Sequence, residues 1–431
     1  VNYAEALAWL YGTQRFGIKL GLENVERLLR ELNVPGKDQR IIHVAGTNGK
    51  GSVCAMIDSI CRAANYRTGL FTSPHLVTYR ERIRVNGEMI APDEVARGLS
   101  ALRETIRDWD PHPTFFEITT TLALDHFNKK ECEVIVLETG LGGRLDATNA
   151  LLPIVSVLTP IGYDHEQWLG HTLEAIAAEK AGIIKPHVSV VSAKQEPAAE
   201  AVIRSRAAEC EAPLEFVAAV DDRRSEEGST VIDRRYSVGL AGMHQRENAA
   251  LAIAALRTGK IAVSEDAITR GLAKIDWPAR FQRWDERTVV DGAHNPAGAR
   301  ILAQTWREQF GNERATIILA ILREKDVAGI CQALAPIAAR FILPSIRSER
   351  ARPPNELASH LSSITPSLPT ASPVEDSPWR ARTCIAHSLP AALASARATS
   401  ERILITGSLH FAGEALATLG GNPDALEDCA Q

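Results

Sequence analysis

The sequence predicts an α/β protein of two domains, each built on a mainly parallel sheet. Three observations carry that expectation. The chain has 431 residues, enough for two or three domains at roughly 100–200 residues each. Short apolar runs alternate with stretches of helical periodicity, as parallel crossovers require. A second cluster of polar strand-end residues begins only near Thr288. Taken in order, an amphipathic helical pattern around Leu22–Leu32 closes at Pro35-Gly36. Ile41-Ile42-His43-Val44-Ala45 reads as a buried strand. After a glycine-rich turn, Val53, Met56, Ile57, Ile60, Cys61 and Ala64 recur at helical spacing. Further buried strands are expected at Val134–Leu137, Ile154–Leu158, Val188–Val191, Thr288–Val290, Ala315–Ala320 and Ile403–Ile405. The charged segment Ala219–Arg235 reads as a short antiparallel excursion or a loop. A domain break near Trp284–Arg287 divides the chain into residues 1–285 and 286–431. Arg350–Ser377, rich in proline and serine, reads as a surface connection holding a short helix at Asn355–Leu361.

Composition narrows the function classes. A net charge of −5 argues against general affinity for nucleic acid, because a polyanion needs a basic surface. No apolar run reaches the roughly 18 residues of a membrane span, and no basic-then-apolar leader opens the chain. The seven cysteines are scattered and never spaced CxxC, which favours reduced thiols in a cytoplasm over disulfides or a zinc site.

The strongest local signal is Ala45-Gly46-Thr47-Asn48-Gly49-Lys50-Gly51-Ser52. Glycines at a strand-to-helix turn let backbone N–H groups converge on phosphate oxygens, and the helix N-terminus adds its positive dipole end. Lys50 would lie along the β- and γ-phosphates, and the Ser52 hydroxyl would serve Mg²⁺. The match to the general phosphate loop is imperfect, since Val44 holds its first glycine position and Gly51 separates lysine from hydroxyl. Glu138 ends a buried strand, the place where a nucleotide-binding sheet presents a metal ligand. Many strands end in an acid, so Glu138 alone says little. The segment Leu141–Asn149 reads as a binding loop. Lys180 before Gly182 also reads as helix capping, and a lone His165 as a structural histidine. Gly242–Asn248 opens an alanine-rich helix. Asp291-Gly292-Ala293-His294-Asn295-Pro296 follows a strand and reads either as ligand contact or as an ordinary polar turn.

In order, these segments resemble the folylpolyglutamate synthase/dihydrofolate synthase family, a branch of the Mur ligase superfamily. The resemblance spans AGTNGKGS at 45–52, TSPHL at 72–76, ERIRVNG at 81–87, LETGLGGRLDATN at 137–149, DHEQWLG at 164–170, EKAGI at 179–183, DGAHNP at 291–296 and GSLHF at 407–411. It implies a P-loop NTPase-like N-terminal domain with a mainly parallel sheet, and a smaller, Rossmann-like C-terminal α/β domain for glutamate ligation. The separation of lysine and hydroxyl by Gly51 is this branch's form of the loop. Gly46, Thr47, Asn48, Gly49, Lys50, Gly51 and Ser52 would bind ATP, joined by Asn248, Arg280 and Asp291. Ser52, Ser73, Glu138, His165 and Lys180 would hold two Mg²⁺ ions, Lys180 as the lysine carbamylated in this superfamily. Carbamylation turns a cation of pKa ~10.4 into a carboxylate-like ligand. Thr114, Phe116, Asp146 and Ala147 match positions that hold a pterin. Lys50, Lys180 and His294 would be catalytic, His294 by assisting the amine or stabilising phosphate.

The implied reaction follows from charge: a substrate carboxylate attacking the γ-phosphate meets anion–anion repulsion, which Lys50 and the metal would offset. The resemblance implies dihydropteroate, reduced folates and L-glutamate as substrates, ATP and Mg²⁺ as cofactors, and a cytoplasmic monomer, with a monovalent cation left open. Tail extension alone remains the alternative to a bifunctional enzyme. A peptidoglycan Mur ligase is disfavoured, because only about 45 residues precede the loop, too few for its additional N-terminal domain. A phosphate-loop module without ligase activity would not need the DGAHNP segment.

Overall fold

The computed structural model describes residues 1–16, 21–36, 38–217, 236–363 and 382–427. The first sheet contains β1 (Arg40–Ala45), β2 (Thr68–Phe71), β3 (Ile83–Val85), β4 (Glu88–Met89), β5 (Val134–Glu138), β6 (Val155–Leu158), β7 (Ser189–Ser192) and β8 (Leu214–Phe216). Its order is β4-β3-β2-β5-β1-β6-β7-β8. Pairing is parallel from β2 across to β8, and only β3 and β4 add antiparallel steps at one edge. The central strands β1 and β5 are buried on both faces because helices cover both sides. One face takes the helices Lys50–Ala63 and Met243–Thr258, and the other takes Phe115–Lys129.

β1 has β5 on one side and β6 on the other. Chain connections therefore diverge at its C-terminal end, leaving the crevice where open α/β sheets bind ligands. The phosphate-loop sequence starts there.

A second sheet holds β9 (Gln282–Arg283), β10 (Thr288–Val290), β11 (Ala315–Leu319), β12 (Ala338–Pro344), β13 (Thr383–Ala386) and β14 (Arg402–Thr406), in the order β13-β12-β11-β14-β10-β9. All its pairings are parallel except β9 with β10. Because β9 already belongs to this sheet, the structural join falls ahead of Gln282, a few residues before the expected break at 285/286. Two edge residues cannot announce themselves by periodicity.

The seven expected strands form within a residue or two of their expected ends. The helix expected at Asn355–Leu361 runs Pro354–Ser363. Ala219–Arg235 and residues 364–377 of the proline-rich connection lie outside the described residues. The first helix, Tyr3–Gly12, was not expected, although Asn2 and Glu5 form a reciprocal capping box at its start. Among the described residues no helix is long and apolar enough to cross a membrane, and six cysteines are free thiols, five of them buried.

Candidate active site

β1 delivers Gly46–Ser52 to the start of the helix Lys50–Ala63. Gly49 caps that helix at φ +92°, a left-handed conformation that strains any side chain, and a Cβ there would meet Asn248 Oδ1 at 2.7 Å. The loop is stitched to the end of β6. Thr47 and Asn48 N–H both donate to Pro160 O, at 3.0 and 3.2 Å, and Thr47 Oγ donates to Gly162 O at 3.0 Å. Not every amide of the loop is therefore free for phosphate, as the motif alone suggested. The N–H groups left free to meet an anion are those of the helix's first turn, which have no intrahelical acceptor.

Two lysines converge on this loop. Lys50 Nζ donates to Gly46 O at 3.1 Å and Thr47 O at 3.3 Å, and Lys180 Nζ donates to the same Gly46 O at 2.9 Å. Burial, reinforced by the charge of Lys50, pushes the Lys180 ammonium down to about 7. An amine in that range is substantially neutral, the form that reacts with CO₂.

The Ser52 and Ser73 hydroxyls are both buried with no hydrogen-bond partner, which is costly unless a ligand completes them. Glu138 is 5% exposed and accepts the Ser73 N–H at 3.2 Å. Burial raises its carboxyl above the usual range while Lys50 opposes the rise. Glu138, His165 and Lys180 all feel the charge of Lys50. Burial, then Lys325, drives the His165 imidazole down to about 3 and leaves it neutral, the form that ligates metals. Hydroxyls with a carboxylate are hard oxygen donors and suit Mg²⁺. No cluster of three or more His, Cys, Asp or Glu forms a protein-only metal cage among the described residues.

The Ser73 loop is held by the next motif. Glu81 accepts the N–H groups of Leu76, Val77 and Thr78, each at 2.9 Å, and Arg82 Nε donates to His75 Nδ1 at 2.9 Å. The ERI run is thus scaffolding for TSPHL, and the last helix, Leu409–Leu419, packs Gly413 directly on the Leu76 carbonyl.

The two sheet units meet over Asp164. Its carboxylate accepts from Lys325 Nζ at 2.5 Å and Asn295 Nδ2 at 3.1 Å, and it lies 3.4 Å from His294 Nε2. Burial alone would raise Asp164, but His294, Lys325 and His165 together hold it far below the carboxylate range. Asn295 also makes a reciprocal amide pair with Asn48 of the phosphate loop, at 3.0 and 3.4 Å. His294, expected to be catalytic, has Nδ1 2.9 Å from Gly292 O, so both ring nitrogens face acceptors in this arrangement. Asp291 accepts Phe281 N–H and Ala293 N–H, each at 2.8 Å, and orders the start of the second unit. Lys325 was missed because Arg323-Glu324-Lys325-Asp326 reads as a solvated charge run.

One cleft brings together Gly51, Ser73, Glu138 and Arg280, with Arg84 and Trp277, which sequence reading did not single out. Asn248 is anchored by Gln245 Oε1 at 3.0 Å beside Gly49. Of the residues expected to hold a pterin, Thr114 caps the helix Phe115–Lys129 in a reciprocal box with Glu117. Phe116 packs on Gly140 and lies 5.8 Å from the Phe71 ring. Asp146 accepts four donors: Gly140 N at 2.8 Å, Leu141 N at 2.9 Å, Thr148 N at 3.0 Å and Thr148 Oγ at 2.5 Å. A carboxylate has about four lone-pair sites, so a ligand donor at Asp146 must share or displace one of these. Ala147 is buried at the start of the short 3₁₀ turn that follows.

A phosphate loop, a buried carboxylate between orphaned hydroxyls and a second α/β unit closing over them define a Mur-type ligase. Residues 44–256 match the Mur ligase middle domain, and residues 279–409 match the Mur ligase glutamate ligase domain. The dihydrofolate synthase/folylpolyglutamate synthase of Bacillus subtilis is 36% identical, over 95% of this chain and 97% of the relative. The structure of Mycobacterium tuberculosis folylpolyglutamate synthase complexed with ADP superposes with a TM-score of 0.85 at 30% identity, covering 100% of both chains. A bifunctional folylpolyglutamate synthase/dihydrofolate synthase with Mn, AMPPNP and L-glutamate bound gives 0.82 at 28% identity, covering 97% of this chain and 98% of the other. The chain belongs to the folylpolyglutamate synthase/dihydrofolate synthase family and is an ATP-dependent amide ligase.

Proposed function

We propose that this ligase joins L-glutamate both to dihydropteroate and to reduced folates through an acyl phosphate. The observation that carries the reading is the pair of buried, unpartnered Ser52 and Ser73 hydroxyls around Glu138, at the mouth of the loop where ATP would bind. We assign nucleotide binding to the first unit, residues 1–285 in outline, and glutamate ligation to the second. The helix first turn, Lys50, Asn248 and Arg280 hold the nucleotide, with Asp291 setting the backbone opposite it. Ser52, Ser73, Glu138 and His165 hold divalent metal, with Lys180 as its carbamate. The metal supplies charge neutralisation on the phosphates.

The chain's own residues account for the rest. Lys50 draws the γ-phosphate toward the attacking carboxylate and offsets anion repulsion. The carboxylate oxygen bonds to phosphorus as the bond to ADP breaks. The deprotonated amine of glutamate then attacks the acyl carbon, and phosphate leaves with formation of the amide. The seam through Asp164, Asn295 and Lys325 keeps the second unit over the loop and excludes water, which would hydrolyse the acyl phosphate. Phe116, with Thr114, Asp146 and Ala147, forms the flat face and polar edge suited to a pterin. Scattered thiols support a cytoplasmic setting, a net charge of −5 argues against nucleic acid as a partner, and the family resemblance supports a monomer acting on small molecules.

The test is glutamate-dependent ADP release by purified protein with Mg²⁺-ATP, comparing dihydropteroate with a reduced folate. Release with both is expected. Release with the reduced folate alone would reduce the activity to tail extension, and release with neither would overturn the folate reading.

A further inference from the structure

The loop that carries Asp146 is fastened from behind by a residue to which the reaction assigns nothing. His43 lies in β1, between Ile42 and Val44 and just ahead of the phosphate loop, and is 1% exposed. Burial, then the charge of Lys185, pushes its imidazole down to about 3, so the ring is neutral and carries one hydrogen. A neutral ring in a β-strand core is costly unless its polar atoms are used. An apolar residue would fill the same space without that cost.

Its Nε2 lies 2.7 Å from Thr148 Oγ. The Thr148 hydroxyl in turn donates to Asp146 Oδ1 at 2.5 Å. Asp146 also faces three backbone N–H groups, so it acts as acceptor throughout. A hydroxyl has one proton, and Asp146 takes it. The Thr148 oxygen can therefore only accept from His43, and Nε2 must be the protonated nitrogen. Nδ1 is buried without a hydrogen-bond partner, as the bare nitrogen of that tautomer would be.

Beyond Asp146, the chain of bonds ends on the N–H groups of Gly140 and Leu141. Gly140 lies against Phe116, where a Cβ would stand 2.5 Å from the ring. Lys185 ties the far end of the loop by donating to Asn149 O at 2.7 Å. The strand that delivers the phosphate loop thus also fixes the backbone behind the aromatic face of the substrate site.

We propose that His43 is a positioning residue that, as an Nε2–H imidazole, aligns Gly140, Leu141 and Phe116 for the substrate's heterocycle through Thr148 and Asp146. The proposal rests on the folate reading of this site.

Two pairs of variants test it. His43→Leu removes the donor and His43→Gln returns an amide donor; Thr148→Val breaks the next link and Thr148→Ser keeps it. His43→Leu and Thr148→Val should raise KM for dihydropteroate and for reduced folate about tenfold, with kcat and KM for ATP within about twofold of wild type. His43→Gln and Thr148→Ser should recover KM to within about threefold. Nitrogen NMR of ring-labelled wild-type protein, which needs no substrate, should show the Nε2–H tautomer unchanged between about pH 5 and 8. Equal rises in KM for ATP and pterin substrates, no rescue by glutamine or serine, or an Nδ1–H ring would overturn the proposal. If His43→Leu does not fold, the Thr148 pair and the tautomer decide. If the wild type turns over neither pterin substrate, the folate reading fails, while the tautomer still decides the relay.

Discussion

Asp146 and Asp164 are both largely buried carboxylates of the first unit, yet they are satisfied in opposite ways. Asp146 takes four donors, all neutral and all from within its own loop. Burial dominates there and raises its carboxyl above the usual range. Asp164 takes Lys325, Asn295 and His294 from the other unit, and those contacts hold it far below that range. The first carboxylate builds a loop; the second joins two halves of an enzyme. A buried acid paired locally reports on folding, and one paired across a seam reports on closure.

The largest expected effect is at the seam. Lys325→Met leaves the Asp164 charge buried without its cation and should cost roughly 3–5 kcal/mol in the closed arrangement. Ligation should collapse while the full-length variant still binds ATP to within a few fold of wild type. Calorimetry of nucleotide binding and small-angle scattering of the interdomain distance would check this; an unchanged distance with lost activity would contradict the latch role.

Lys180 offers a buried cation to set beside Asp146, since it too has only a neutral partner, the Gly46 carbonyl. In protein kept free of CO₂, so that Lys180 is a plain amine, its folded value is depressed to about 7, and the unfolded state binds more protons between about 7 and about 10.4. Stability should therefore rise with pH across that window, by up to a few kcal/mol. Lys180→Met should flatten the slope in denaturant melts taken across it. A slope as steep as that of wild type would show that Lys180 is not the titrating group.

Asp146→Asn should cost less, roughly 1–3 kcal/mol, because an amide nitrogen then opposes an N–H or hydroxyl donor. The loss should appear in global stability with the interdomain distance unchanged; a seam that opens would erase the contrast with Asp164. The smallest effect belongs to Asn295→Ser. It keeps a side-chain cap for Gly298 N–H, which Asn295 now holds at 2.8 Å, so stability should stay within about 0.5 kcal/mol. Losing the contacts to Asn48 and Asp164 should raise KM for ATP a few fold in steady-state kinetics. No change in KM would confine Asn295 to capping.

How much of the site could be read beforehand follows from distance along the chain. Gly46–Ser52 is contiguous, and its glycines, lysine and hydroxyl are required by phosphate chemistry at a strand-to-helix turn, so the loop was legible. Even there, the donation of Thr47 and Asn48 N–H to Pro160 O was not, because it depends on where β6 ends. Ser73, Glu138 and Lys180 were assigned through a resemblance of ordered motifs. No spacing rule brings Ser73 to Glu138, or Lys180 to the Gly46 carbonyl that Lys50 also holds. Lys325 escaped altogether, since a lysine in a charged run looks solvated until a second unit buries it against Asp164.

The resemblance of ordered motifs supplied the class of ligase, and local chemistry along the chain settled the alternation of strand and helix and the phosphate-loop motif. Those depend on residues within a few positions of one another, where periodicity, turn geometry and charge act directly. Tertiary structure decided the sheet order that opens the crevice beside β1, the pKa of Lys180 and Asp164, and the relay from His43 to Asp146. Desolvation and cross-strand hydrogen bonds depend on what lies across space, and packing alone supplies those neighbours.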